Sequence, residues 1–163
     1  MDYQTRFASL DDYEKGGVEV IDDDPRNYAF SNIFEVASHA APFEHIAVAK
    51  NFEYVLEAVR VEGTSPWRSA AHDQSALVMD GEVEFEFRTL RAGAAGPGSG
   101  SAVVPEDATQ TLMGSVTARR GHLTLLPAGR AYRFSASAPA VLLVQTVTGP
   151  ETEFRWIQIC QTA

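Results

Sequence analysis

The chain has 163 residues, 45% of them hydrophobic, and a formal charge of −9. That length suits one domain with a substantial buried core. Its 22 carboxylates against 13 Lys and Arg exclude a duplex-tracking nucleic-acid binder and disfavour an anionic membrane surface, because both need a surplus of cations. Cys160 is the only cysteine, so neither an intrachain disulfide nor a cysteine zinc cage is available, and a reducing cytoplasm is the expected compartment. Met1 to Phe7 lack the basic-then-apolar order of a signal peptide, and no apolar run approaches the roughly 20 residues of a bilayer span.

Residues 1–42 are polar and mixed, with Asp22-Asp23-Asp24 before Pro25, and are read as an N-terminal extension with short helices; residues 43–163 are the folded domain. Ser9 with Asp12 three residues on would cap a short helix that Gly16-Gly17 ends. Asn32 to Ala37 is a second apolar segment of ambiguous type. From about residue 46 the pattern becomes β. Phe52 to Val61 alternates as a half-buried strand does, and Gly63, Ser65 and Pro66 break it. Ser75 to Val78 and Val83 to Arg88 flank Asp80-Gly81, which predicts a hairpin with Val83, Phe85 and Phe87 on one face and Glu82, Glu84 and Glu86 on a solvated one. Residues 92–102 read as a flexible Gly/Ala/Ser/Pro loop continuing towards Asp107. Strands are then predicted over His122 to Leu126, Ala131 to Ser135, Val141 to Thr148 and Glu153 to Ile159. Many short strands with Gly/Pro turns and no long helix give an all-β sandwich or barrel.

Gly121 to Tyr132 follows the second motif of cupin barrels, G-x5-P-x-G-x2-H, with Tyr132 where the metal-binding histidine stands. Leu77 to Glu82 resembles the end of the first cupin motif. The architecture implied is a cupin double-stranded β-helix, a jelly-roll barrel. A cupin metal site needs two histidines, a carboxylate and a third histidine, a donor set that suits Fe, Mn, Ni or Cu. Counting back from Gly81 puts Gln74 at the carboxylate position. The histidine pair then falls on Trp67 and Ser69 or, one residue along, on Arg68 and Ala70. Neither register holds a histidine. His72 stands too close to Gln74 for the usual spacing, and His122 adjoins a turn glycine, so both are read as pocket or acid/base candidates and not as ligands. No metal is expected in this chain. His39 and His45 are expected at the surface or an interface, and Trp67 and Trp156 as core aromatics. No nucleotide-binding glycine motif follows a strand, and Gly98-Ser99-Gly100 makes no nucleophile elbow.

Several ordered segments resemble one family. They are Ala49 to Val55, Gly63 to Trp67, Ala71 to Gln74, Met79 to Glu82, Met113-Gly114, Arg120 to Tyr132, Gln145-Thr146 and Trp156 to Cys160. Together, over roughly residues 28 to 160, they resemble the small subunit of the two-component hydroquinone 1,2-dioxygenases. The resemblance implies a hetero-oligomer in which a large cupin subunit holds Fe(II) and cleaves the ring to 4-hydroxymuconic semialdehyde. The small subunit would then be a metal-free cupin supporting it, with its N-terminal segment wrapped on the large one and Trp67 supporting the active site. Gln74, where an acidic residue is expected, and the glycine-rich loop depart from that pattern and leave the substrate open to a related quinol. The competing reading is a stand-alone, metal-independent cupin. It would be a homodimer acting as cyclase or isomerase on a polyphenol, or binding a small molecule, with His72, Gln74 and Tyr132 lining its pocket.

Overall fold

A computed structural model describes residues 8–13 and 32–155. The ordered core is a ten-stranded sheet folded over on itself, with one short helix, α1 (Ile33–His39), packed outside it. Its spine is β9 (Ala131–Val147), 17 residues long. On one side β9 pairs with β2 (Tyr54–Thr64) and, beyond Ser65 to Trp67, with β3 (Arg68–Ala70). On the other it pairs with β4 (Gln74–Asp80) through residues 141–145 and with β5 (Glu82–Leu90) through residues 131–135. One half of the fold thus runs β8 (Leu123–Leu126), β4, β9, β2, β1 (His45–Asn51), β10 (Thr152–Glu153). The other runs β7 (Thr109–Arg119), β5, β9, β3, β6 (Ser101–Val103). Two halves sharing bent strands make the jelly-roll cupin barrel that the sequence predicts.

Asp80-Gly81 does not make a hairpin. β4 and β5 run on in one direction, both antiparallel to β9, and the chain kinks at Gly81 while β9 bulges opposite around Pro139. A positive-φ glycine serves a bulge as well as a hairpin turn, so the local signal was ambiguous. Gly81 has φ 77°, and a Cβ there would lie 2.8 Å from the Ala140 Cβ. The facial alternation was read correctly: Val83 and Phe85 are fully buried, and Glu82 and Glu84 are exposed. The strands expected over Ala131 to Ser135 and Val141 to Thr148 are joined in one, β9, and Pro139 between them does not break it. It sits inside β9 at the bulge, where a missing N–H costs no ladder bond.

Ser9 Oγ accepts from the Asp12 N–H at 3.3 Å, as a cap does, but residues 8–13 form bends and no helix. That segment is held instead by Asp80, whose Oδ2 accepts from the Leu10 N–H at 3.1 Å. The ambiguous Asn32 segment is α1: Asn32 Oδ1 accepts from the Phe34 and Glu35 N–H groups, satisfying two orphan donors of the first turn. Its apolar residues pack on the outside of β1, β2 and β9. Residues 92–102 are not loose. Gly96 and Gly100 lie so close to the backbones of Ser69 and Gly149 that no Cβ fits, and the Ala71 N–H donates to the Pro97 carbonyl at 3.1 Å. The expectations on Gly16-Gly17, Asp22 to Asp24, Trp156, Ile159 and Cys160 lie outside the described residues. Among the described residues, no helix is long and apolar enough to cross a membrane.

Candidate functional site

The interior changes character along the barrel axis. Side chains on the inner face alternate along each strand, so Val59 and Val61 on β2 share their face with Glu57, and Val78 and Ala76 on β4 share theirs with Gln74. On β9, Phe134 shares a face with Tyr132, and Leu142 and Val144 with Thr146. One end of the barrel is therefore aliphatic and aromatic, and the other is polar.

At the polar end Tyr132 is 1% exposed, and its hydroxyl donates to Gln74 Oε1 at 2.6 Å. Gln74 Nε2 donates to Thr146 Oγ1 at 2.6 Å, and His72 Nε2 lies 2.9 Å from the same hydroxyl. Burial pushes the Tyr132 phenol above its ordinary value, and Ser101 and Arg68 offset this only in part. The phenol therefore stays protonated and acts as a donor. His72 Nδ1 is buried without a hydrogen-bond partner. Beside His72, Gln74 and Thr146 lies an open surface hollow of ≈ 210 Å³.

Arg68 stands opposite Tyr132 in the ladder and so shares its face. Its buried guanidinium donates to Ser101 Oγ at 3.1 Å and meets Glu151 Oε2 at 2.6 Å. Burial raises the Glu151 carboxyl, but the Arg68 charge and the Val103 N–H outweigh it and hold the pKa below the usual range. Alongside, His45 Nδ1 and Glu57 Oε2 are 2.8 Å apart, both side chains 3% exposed, and Thr152 Oγ1 donates to Glu57 Oε1 at 2.6 Å. His45 is thus an interior residue and not the surface or interface one expected, because β1 turns it inward towards the Glu57 carboxylate.

The remaining candidates stand elsewhere. Alternation through β3 turns Trp67 and Ser69 away from the face of Arg68, so of the two registers read from the sequence it is Arg68 that shares a face with Tyr132. Trp67 is buried with Val104 and Ala131, and the Arg133 and Arg88 guanidinium groups lie 4.5 and 4.9 Å from its ring. Ser69 Oγ accepts from the Gly96 N–H at 3.3 Å, helping to seat the glycine-rich loop. His122 is exposed in a turn, with Nδ1 2.9 Å from the Arg119 carbonyl.

A cupin barrel implies a divalent metal at this end, and the residues present do not fit one. The set is a neutral amide, a protonated phenol, a hydroxyl bonded to Gln74 and His72, a His45–Glu57 pair closed on itself and on Thr152, and the fixed cation of Arg68, which repels a metal ion. Among the described residues, no three His, Cys, Asp or Glu side chains form a metal-holding group. Glu57 escaped the sequence reading although a signal existed: it is a carboxylate in phase with Val55, Val59 and Val61. The Arg68–Glu151 pair joins residues 83 positions apart, and no local pattern announces it.

No protein-family model matches the chain, and no curated protein sequence does. Solved structures do match. A chain of hydroquinone 1,2-dioxygenase PnpCD, in complex with Cd2+ and 4-hydroxybenzonitrile, shares 49% identity at a TM-score of 0.89, covering 97% of this chain and 96% of that one. A chain of the hydroquinone 1,2-dioxygenase from Sphingomonas sp. TTNP3, with 4-hydroxybenzoate bound, shares 51% at 0.91 and covers 98% of each. A longer chain of the Sphingomonas enzyme, in complex with 4-nitrophenol, shares only the fold. It matches at a TM-score of 0.64 and 15% identity, over 85% of this chain and 38% of its own length. With half its residues identical over nearly the full length of both relatives, this chain belongs to the hydroquinone 1,2-dioxygenase family as one of its subunits.

Proposed function

We propose that this chain is the metal-free small subunit of a ring-cleaving dioxygenase, a cytoplasmic scaffold for a longer cupin chain that binds Fe(II) and cleaves hydroquinone or a related quinol. The observation that carries the reading is the polar end of the barrel. Where a ring-cleavage cupin would open its ligands to substrate, Tyr132, Gln74 and Thr146 are closed on one another, and Arg68 occupies the space as a cation. The near-full-length identity to chains of two hydroquinone 1,2-dioxygenases supports the reaction class, and the longer cupin-fold chain of one of them supports the division of labour. The iron, when bound, would supply oxygen chemistry in the longer chain. This chain's own residues hold a shape.

The alternative, a stand-alone cyclase or isomerase using His72, has less support. His72 Nε2 already engages Thr146, and the adjoining hollow is open to solvent, not an enclosed cavity that excludes water. The test is to purify the chain alone and co-expressed with a longer cupin partner, and to measure iron and hydroquinone turnover in each. Iron well below stoichiometry and no turnover alone, with both appearing in the complex, is the expected result. Stoichiometric iron and turnover from this chain alone would overturn it.

A further inference from the structure

The Arg68–Glu151 pair joins a fixed host to a guest carried by another part of the chain. Two paired strands build the host, with Arg68 on β3 standing opposite Val103 on β6. Ser101 Oγ accepts from Arg68 Nη2 at 3.1 Å and from its Nε at 3.4 Å, so the guanidinium is aimed independently of any carboxylate. β6 ends its half of the sheet, and the Val103 N–H has no strand beyond it to accept its hydrogen bond. A guanidinium beside a free edge N–H is a donor pair that suits a carboxylate, since each can take one of its two oxygens.

Glu151 uses both donors. Its Oε2 meets Arg68 Nη2 at 2.6 Å, and its Oε1 accepts from the Val103 N–H at 3.1 Å. The Arg68 side chain is 4% exposed and that of Glu151 38%, so the carboxylate enters from the solvent side of a slot with a buried floor. The interior does not supply this anion itself, because Glu57 is taken by His45 and Thr152 and Tyr132 is neutral. Glu151 rides on a strap, residues 148–155, whose other attachments spare its side chain. Ser99 Oγ donates to the Thr148 carbonyl, and a Cβ on Gly149 would lie 2.5 Å from the Gly100 Cα. Thr152 Oγ1 donates to Glu57 at 2.6 Å, and Arg155 reaches the two Glu44 oxygens at 2.9 and 3.0 Å. Cutting back the Glu151 side chain therefore leaves the strap seated and turns the host donors towards solvent.

We propose that Arg68 and the Val103 N–H form a binding site for small monocarboxylates, which the chain keeps closed with Glu151 as its own ligand. The barrel end that would hold a metal cation in a catalytic cupin is thus rebuilt to hold an anion, and the site is complete within this chain. Glu151→Ala removes the heavy atoms of acetate, so acetate is the probe. The full-length chain, Glu151→Ala and the double variant Arg68→Met/Glu151→Ala are melted in sodium acetate and in sodium chloride of equal ionic strength. Glu151→Ala should bind acetate with a Kd on the order of 1–10 mM. Its melting temperature should rise by about 3–6 °C when acetate is about ten times that Kd. Wild type, already filled, and the double variant, which lacks the guanidinium, should show only the small general difference between the two salts. An acetate effect on Glu151→Ala no larger than on the double variant would overturn the site. An equal effect on wild type would overturn its closure by Glu151. A Glu151→Ala chain unfolded in both salts would also overturn the proposal, because the remaining attachments of the strap would then not preserve a site.

Discussion

At one end of the barrel β2, β4, β5 and β9 fill the interior with Val59, Val61, Val78, Val83, Phe85, Phe134 and Leu142; at the other β2, β3, β4 and β9 supply Glu57, Arg68, Gln74, Tyr132 and Thr146. The dry end is held by shape: Phe85 and Phe134 meet edge to face with centroids 5.4 Å apart, and each buried side chain contributes about 1.5–3 kcal/mol. The wet end is held by pairing, where each bond nets about 1 kcal/mol but an abandoned partner costs more. A polar barrel end is what a catalytic cupin needs. Here Tyr132, Gln74 and Thr146 are turned towards one another in side-chain hydrogen bonds.

The difference between the ends can be broken in order of effect. Phe85→Ala should be the most damaging, destabilising the chain by about 3–5 kcal/mol in urea unfolding, because a dry, close-packed site cannot refill the cavity. Tyr132→Phe keeps the ring and removes only the donor to Gln74, so a loss of about 1–3 kcal/mol is expected, with iron content of the purified chain unchanged. A neutral result would mean that the network adds little beyond shape. Arg68→Met should cost least, about 1 kcal/mol at neutral pH, since Glu151 is 38% exposed and solvent screens the pair. The Glu151 carboxyl is held below its unfolded value, so its contribution is complete above that value and lost as pH falls through the folded one. Stability profiles between pH 6 and 3 should therefore fall less steeply for Arg68→Met than for wild type. Parallel profiles would show that the pair is energetically idle.

The fold was legible because its signals are local and repeated. Gly121 to Tyr132 marks β8, its turn and the start of β9, and Val83 to Phe87 alternates cleanly. β7 was missed for the opposite reason. It is an edge strand with Leu112, Met113 and Val116 exposed, so no buried face imposed an alternation. At the site, Gln74 and Tyr132 could be found by counting from glycines. Choosing between Trp67 and Arg68 could not, because a one-residue slip along β3 exchanges inside for outside. The glycine-rich stretch misled because composition signals freedom, whereas Gly96 and Gly100 are there to let backbones touch.

The length of β9 carries one more consequence. Its residues lie near the C-terminus, yet they pair with strands that begin at Tyr54 and Gln74, so neither half of the fold can close until they have been synthesised. Until then a nascent chain would hold β2, β4 and β5 paired on one side only, with β1, β8 and β7, and open on the side that β9 takes, a state slow to resolve and open to mispairing. Shortening the message anywhere before residue 147 should yield aggregates and no smaller folded species. β9 is the strand on which β2, β3, β4 and β5 all wait.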